Sequence, residues 1–222
     1  MSQGIFIMLA ALALTVGAPR PSSLAQEPAA KSQQIAAPDY NGGGFWNYRV
    51  VHKMLAGGYR SDLISGDFEI TMQGGRRNIV QVGGGNALAS EDGYRIQAMV
   101  VGPIDKEVAP YFSFPLWVGK QWTGNQLTLP DRKWRLVHHS VTGTETVATP
   151  AGNFSAYRIE RSAILAVRAI NYYDNEVYFY SPETQSVIKY EYHRTMKDLV
   201  GDPVYSEMEA IRIDLTGFKP KG

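Results

Sequence analysis

Cysteine is absent from this chain of 222 residues, which excludes disulfides, thiolate metal sites and a lipid-modified N-terminal cysteine. Stability must come from packing. A surplus of one charge is lacking too: 22 Lys and Arg stand against 21 Asp and Glu. Nucleic-acid and anionic-lipid binders need clustered cations, so neither partner is expected. Arg76-Arg77 is the adjacent basic pair among the strand candidates, and after Gly74-Gly75 it reads as a solvated hairpin shoulder. Long helical patterns and repeats of fixed period are also missing. Gly83-Gly84-Gly85 is followed by neither Lys-Ser nor Lys-Thr, nor by a helical pattern, so it reads as a loop and not as a phosphate cradle.

Long apolar runs are limited to Ile5–Val16, too short to cross a bilayer. With the small residues of Ser23-Leu24-Ala25 behind it, this run predicts an export signal over residues 1–25, cleaved after Ala25. Met1–Gly4 holds no Lys or Arg, which departs from the usual signal pattern; an uncleaved anchor would need the run stretched to spanning length. Losing residues 1–25 removes Arg20 and no acid, which leaves the remainder formally neutral. The expected location is periplasmic or secreted. Residues 26–44, rich in Ala, Pro, Gln and Gly, read as a flexible leader to one β domain over residues 45–218.

What the chain has in quantity is strand pattern. Trp46, Tyr48, Val50 and His52 alternate with Asn47, Arg49, Val51 and Lys53, a period of two. Glycine pairs then divide Tyr59–Ile64, Phe68–Met72 and Asn78–Val82 into short strands, and Tyr94–Val101 resumes the alternation. Pro110 and Pro115 bracket an extended aromatic segment that leads into Leu116–Trp122. Further strands are expected at Lys133–Val141, Glu145–Thr149, Phe154–Ser162, Leu165–Tyr172, Glu176–Tyr180, Val187–His193 and Glu209–Thr216, with one helical turn possible over Thr195–Val200.

The tightest of the turns is Thr149-Pro150-Ala151-Gly152-Asn153-Phe154. Proline presets φ, and glycine two residues on can take the left-handed conformation that closes a three-residue hairpin loop with a bulge. Phe154–Ile159 is apolar on both parities, which suits a strand covered on both faces. About ten to twelve strands joined in neighbour order predict an all-β fold, a single antiparallel meander curled into a half-barrel or open barrel with few or no helices.

Phe114-Pro115-Leu116 with Val118-Gly119-Lys120 and Trp122, then Thr149–Phe154, then Tyr178-Phe179-Tyr180-Ser181-Pro182-Glu183 with Val187-Ile188-Lys189-Tyr190-Glu191, form an ordered set of boxes. The set resembles a family of exported bacterial proteins classed as a domain of unknown function, whose boxes read FPLxVGKxW, VxPAGxF and W/F-Y-x-PE leading to VKYE. Phe45-Trp46-Asn47-Tyr48-Arg49 looks like its opening strand. Phe179 stands where that family more often has Trp, and Ile188 interrupts its V-K pair. The resemblance implies an exported, mostly β protein with no assigned reaction, cofactor or catalytic residue.

No catalytic, metal or cofactor constellation is expected. His138 and His139 are adjacent on a strand and point to opposite faces, while His52 and His193 lie on other strands. Ser181-Pro182 lacks the glycines of a nucleophile elbow. Asp131, Glu145, Glu160, Glu183 and Glu191 can supply a carboxylate pair only if folding sets two of them at the right separation.

The candidate site is a hollow lined by Trp46, Tyr48, Tyr94, Phe112, Trp117, Tyr178, Tyr190 and Tyr192, suited to an apolar or amphiphilic guest; the alternative is a cleft packed with these same side chains. Two functions follow from these residues. One is a binding module without covalent chemistry, for an apolar small molecule or a partner's hydrophobic segment. The other is an envelope protein that pairs through a strand edge or through its leader. A hydrolase is the weaker third.

Overall fold

A computed structural model describes residues 33–38, 43–54, 65–73, 76–83, 96, 99–100, 112–128, 133–167 and 169–219. All of them fall in one compact unit, Ser32–Gly222. Tyr59–Ile64, Tyr94, Asp131 and the signal segment lie outside the described residues.

Nine strands follow one another along the chain: β1 (Gly44–Met54), β2 (Gly66–Gln73), β3 (Arg76–Gln81), β4 (Gln121–Thr128), β5 (Lys133–Thr149), β6 (Gly152–Val167), β7 (Ile170–Ser181), β8 (Ser186–Asp198) and β9 (Pro203–Lys219). They form one antiparallel sheet in the order β3-β2-β1-β9-β8-β7-β6-β5-β4, curled and not closed into a barrel. The sheet is a meander from β4 to β9, and the β1–β3 meander is attached beyond it through β1, which pairs with β9. Alternation sets the faces as read from the sequence. Trp46, Tyr48, Val50 and His52 are all buried on β1, and the residues directly opposite them share their face.

Register then assembles the core. Val141, Ile159, Tyr178, Tyr190, Ile213 and Val50 stand opposite one another in turn across β5, β6, β7, β8, β9 and β1, and all six are buried. Burying a large apolar side chain of this kind contributes roughly 1.5–3 kcal/mol before entropy is counted. The chain passes from edge strand β3 to edge strand β4 through residues 82–120. Of the described residues in that passage, Ile96, Met99, Val100, Phe112 and Leu116 are all buried in the core.

The curl brings the β5–β6 hairpin round to β9. A bulge between Val141 and Gly143 bends β5, and the tip comes round to β9, where the Ala151 amide donates to the Leu215 carbonyl at 3.3 Å. Phe154 meets Phe218 edge-on there, with centroids 5.6 Å apart. Phe154, Ala156, Tyr157 and Ile159 are all buried, so both faces of β6 are covered at this point, as their composition predicted.

Several local expectations are corrected. Of Tyr94–Val101, expected as a strand, the described residues Ile96 and Met99 have helical backbone, and the rest, Val100 apart, lie outside the described residues. The buried residues Ile96, Met99 and Val100 are spaced i, i+3, i+4, and that period prevails over the weaker alternation through Ala98. Lys133–Val141 and Glu145–Thr149 are one strand of 17 residues broken only by the bulge. Leu165–Tyr172 straddles the β6–β7 turn. Thr195–Val200 is no helical turn, since β8 runs on to Asp198 before Leu199 and Val200 turn the chain. The central loop has two residues, Pro150 and Ala151, because Thr149 and Gly152 are paired. Thr149 Oγ1 accepts the Ala151 amide at 3.2 Å and donates to the Gly152 carbonyl at 3.1 Å. Ile35, within the stretch read as a flexible leader, forms an antiparallel bridge with Leu116.

Candidate functional site

The aromatic residues singled out from the sequence divide into two groups. Trp46, Tyr48, Tyr178, Tyr190 and Tyr192 share the inner face, and Phe112 reaches them from the edge-to-edge passage. Tyr178 and Tyr190 rings are 4.8 Å apart, and Phe112 meets Tyr178 edge-on at 5.5 Å. The Tyr48 hydroxyl donates to the Met99 carbonyl at 3.5 Å, and Trp46 Nε1 donates to the Thr184 carbonyl at 2.9 Å. Tyr48, Tyr178 and Tyr190 are 0% exposed, so these rings form a packed layer covered by the chain itself. Burial pushes the Tyr48 hydroxyl's pKa well above its usual value. Tyr94 is outside the described residues.

Trp117 stands apart, in the first sequence box. The Phe114–Pro115 peptide is cis, and Gly119 holds φ at +91°, a conformation that favours glycine. Lys120 then folds back over this loop: its ammonium donates to the Pro115 carbonyl at 2.8 Å and to the Ser113 carbonyl. The same ammonium lies 4.7 Å from the Trp117 ring centre and 5.8 Å from that of Trp122. Desolvation lowers the Lys120 pKa. The residues of this box thus hold one another, and Trp117 and Trp122 are the walls of a lysine slot.

A polar row that sequence reasoning missed crosses the inner face beside the aromatic layer. Trp122, His139, Arg161, Glu176 and Tyr192 stand opposite one another from β4 to β8, and the row continues through Ile211 to His52. Arg161 pairs with Glu176, both nearly inaccessible, and the Tyr178 hydroxyl donates to Glu176 at 2.5 Å. One register step further on, Arg194 grips Asp174 with two bonds of 2.7 and 2.9 Å and lies 3.6 Å from Glu209. Glu209 is in turn 2.8 Å from His52 Nε2. Burial works against the charge on Arg194, but Asp174, Tyr192 and Glu209 outweigh it and hold its pKa above the usual value. The sequence carried one signal for this network. Arg161, Glu176 and Glu209 are charged residues in phase with the apolar parity of their strands, with Ile159, Tyr178 and Ile211 respectively.

The titratable residues considered from the sequence are scattered. His138 is exposed and His139 buried, on opposite faces as adjacent strand residues must be. Glu145 and Glu160 both engage Arg158, Glu191 pairs with Lys189 at 2.6 Å, and Glu183 is exposed in the β7–β8 turn. Among the described residues, His, Asp and Glu do not gather in threes able to hold a metal ion.

Among the described residues, two grooves on the surface bear on these side chains. The larger, about 730 Å³, runs over β4 to β7 between polar side chains that include His138, Glu160, Ser162 and Asn175. The smaller, about 470 Å³, lies where residues 33–35 meet Val118, the β5–β6 hairpin at Thr144 and Tyr157, and the β7–β8 turn at Pro182. At this second groove an extended segment is already in place. The Ile35 amide donates to the Leu116 carbonyl and the Leu116 amide to the Ile35 carbonyl, both at 2.8 Å, while the Tyr157 hydroxyl donates to the Gln33 carbonyl at 3.1 Å. Gly119 and Lys120 bond Val141 of β5 and lead into β4, while Ile35 bridges Leu116 on the loop before them, outside the nine strands.

Among the described residues, no helix is long and apolar enough to cross a membrane, which says nothing of strands. No family model and no curated protein matches the chain. Among solved structures, a Bacteroides fragilis protein assigned as exported and described as YmcC-like in fold is 12% identical, covers 85% of this chain and 100% of its own, and superposes with a TM-score of 0.34.

Proposed function

We propose that this chain is an exported binding module that does no covalent chemistry and engages a partner by adding an extended segment to the β4 side of its sheet. The observation that carries this reading is the Ile35–Leu116 bridge, in which an extended segment is held by backbone hydrogen bonds on the loop that leads into β4. The guard residues of the two edges agree with it. Edge strand β3 begins with Arg76-Arg77, charges that discourage pairing, whereas β4, QWTGNQLT, carries neither charge nor proline. The signal pattern of residues 1–25 supports a location in the periplasm or outside the cell.

A photo-crosslinker at Thr123 of β4, introduced into the protein in intact cells, is expected to capture a second polypeptide, and fractionation is expected to find the protein outside the cytosol. Recovery of uncrosslinked monomer alone would remove the edge reading. A second reading, an apolar or amphiphilic guest on the inner face, is favoured by the Tyr178–Tyr190–Phe112 layer, but the guest would have to displace Phe112 and Met99. Organic extraction of the purified protein that yields no lipid, together with no uptake of a fluorescent fatty acid, would eliminate it.

A further inference from the structure

We infer that the β8–β9 hairpin is a membrane-interface probe: Leu199 and Val200 at its tip enter the headgroup region of a phospholipid bilayer, and Lys197 and Tyr173 behind them settle at its surface. The inference is independent of the edge-pairing reading and shares with it only an address outside the cytosol.

The turn closes without help from its apolar side chains. Asp198 Oδ1 accepts the amides of Val200 and Asp202, both at 2.9 Å. The Asp198 amide donates to the Asp202 carbonyl at 3.0 Å, the Gly201 amide donates to the Asp198 carbonyl at 3.2 Å, and Gly201 holds φ at +95°. Asp198, Gly201 and Asp202 thus supply the turn chemistry, and the fold asks nothing of the side chains between them. Leu199 and Val200 are nonetheless aliphatic where turns are ordinarily polar, and they stand 68% and 87% exposed. Val204, also exposed, adds to them on β9.

The hairpin also reaches beyond its neighbours. β1 ends at Met54, opposite Glu209, so residues 203–208 of β9 run on past it. β7 begins at Ile170, opposite Asp198, so the tip lies beyond that strand as well.

A bilayer is the occupant that this shape and chemistry favour. A few apolar side chains on a narrow tip fall well short of the ~800 Å² that a specific protein interface takes from each partner. A lipid interface needs no complementary surface and rewards each apolar group removed from water. Behind the tip come side chains suited to headgroup level: the Lys197 ammonium lies 5.0 Å from the Tyr173 ring centre, and exposed Ile164 stands opposite Tyr173 on β6. Asp198 spends its carboxylate on the turn amides, and Asp202 offsets Lys197, so the tip carries no surplus of cations and suits a neutral interface.

The test is co-flotation of the protein recovered from the extracytosolic fraction, with vesicles of phosphatidylcholine alone and of phosphatidylcholine mixed with phosphatidylglycerol. Binding to both is expected, equal within about twofold and insensitive to salt. Leu199→Asp combined with Val200→Asp is expected to lower the partition about tenfold or more with the thermal midpoint unchanged. Val118→Asp, at an exposed apolar position in the loop before β4, is expected to leave it as it was. Val200→Trp is expected to show blue-shifted emission on vesicles, quenched by lipids brominated in the acyl chain. Failure of the unaltered protein to float, flotation that the double aspartate variant retains, or flotation confined to vesicles with phosphatidylglycerol would each overturn the inference. So would a dimer in solution that the double variant abolishes, which would give the tip to a second copy. The Thr123 crosslink is expected to be indifferent to all of these substitutions, so the two readings fail separately.

Discussion

Trp122 lies flat on His139, with ring centroids 4.8 Å apart and planes 4° from parallel, and neither the indole nitrogen nor the two imidazole nitrogens make a hydrogen bond of ordinary geometry to the described residues. Burial, helped by Arg161 and His138 and opposed by the Trp122 backbone, pushes the His139 pKa down from the usual 6.5 to about 3. A neutral imidazole is thus part of the inner face.

His139 makes stability depend on pH. Between about 6.5 and about 3 the unfolded chain binds a proton that the folded chain refuses. Stability is full above the upper value and falls as pH drops through the window, by up to about 1.4 kcal/mol per pH unit. His139→Phe keeps the stack and removes both buried ring nitrogens. It is expected to raise stability at pH 7 by about 1–3 kcal/mol and to flatten the acid limb. Urea melts at pH 7, 5.5 and 4.5 check both effects, and an unchanged slope in the variant would refute the assignment.

Lys120 ties the first box together through carbonyls, so its charge matters less than its donors. Lys120→Met keeps the stem between Trp117 and Trp122 and leaves the Pro115 and Ser113 carbonyls without their partner. A loss of about 1–3 kcal/mol is expected, read as a lowered thermal midpoint with the far-ultraviolet spectrum unchanged. Tolerance of methionine would show that solvent replaces the ammonium.

Glu209 is 2% exposed and lies between His52 and Arg194. Glu209→Ala leaves Arg194 with Asp174 alone and His52 without its carboxylate, and about 3–5 kcal/mol of destabilisation is expected in denaturant titration. Glu160→Ala, on the half-exposed pair with Arg158, is expected to change stability by less than about 1 kcal/mol. Comparable losses from the two variants would contradict the partition into buried and surface networks.

Gly152 has φ at +138°, and a Cβ there would stand 3.5 Å from the Phe154 ring. Space is therefore adequate and the backbone is not. Gly152→Ala is expected to cost about 1 kcal/mol or more, whereas Gly143→Ala, at the bulge with nothing near the added carbon, is expected to be close to neutral or mildly stabilising. Thermal denaturation of the two variants side by side is sufficient to check the contrast.

How much of this was legible in the sequence depended on what each element buries. β1 was plain because Trp46, Tyr48, Val50 and His52 keep strict phase through an uninterrupted strand. β4 was not, because its polar side chains and Gly124 give an edge strand little to alternate. The β6–β7 turn was hidden because no glycine or proline marks it, and β-branched and aromatic residues run on either side. The inner aromatic layer could be named residue by residue from parity, but its covering by Phe112 and Met99 depends on a passage between distant edges that no local pattern encodes. The charged network needed strand register: Arg161, Glu176 and Tyr192 meet only because three strands align at those positions, and a one-residue slip would separate them.

The pairing of β1 with β9 joins the first strand to the last in the middle of the sheet, with Phe45 opposite Lys219 and Tyr48 opposite Leu215. A chain emerging N-terminus first therefore produces Gly44–Gln81 long before its permanent neighbour exists, and β1 waits with one side unpaired until Pro203–Lys219 arrives. Closure over so great a contour length makes for slow maturation. It also makes the nascent polypeptide dependent on whatever shields that waiting backbone, so truncation before Pro203, which removes β9, should leave a sticky, chaperone-retained product and not a slightly shortened native one.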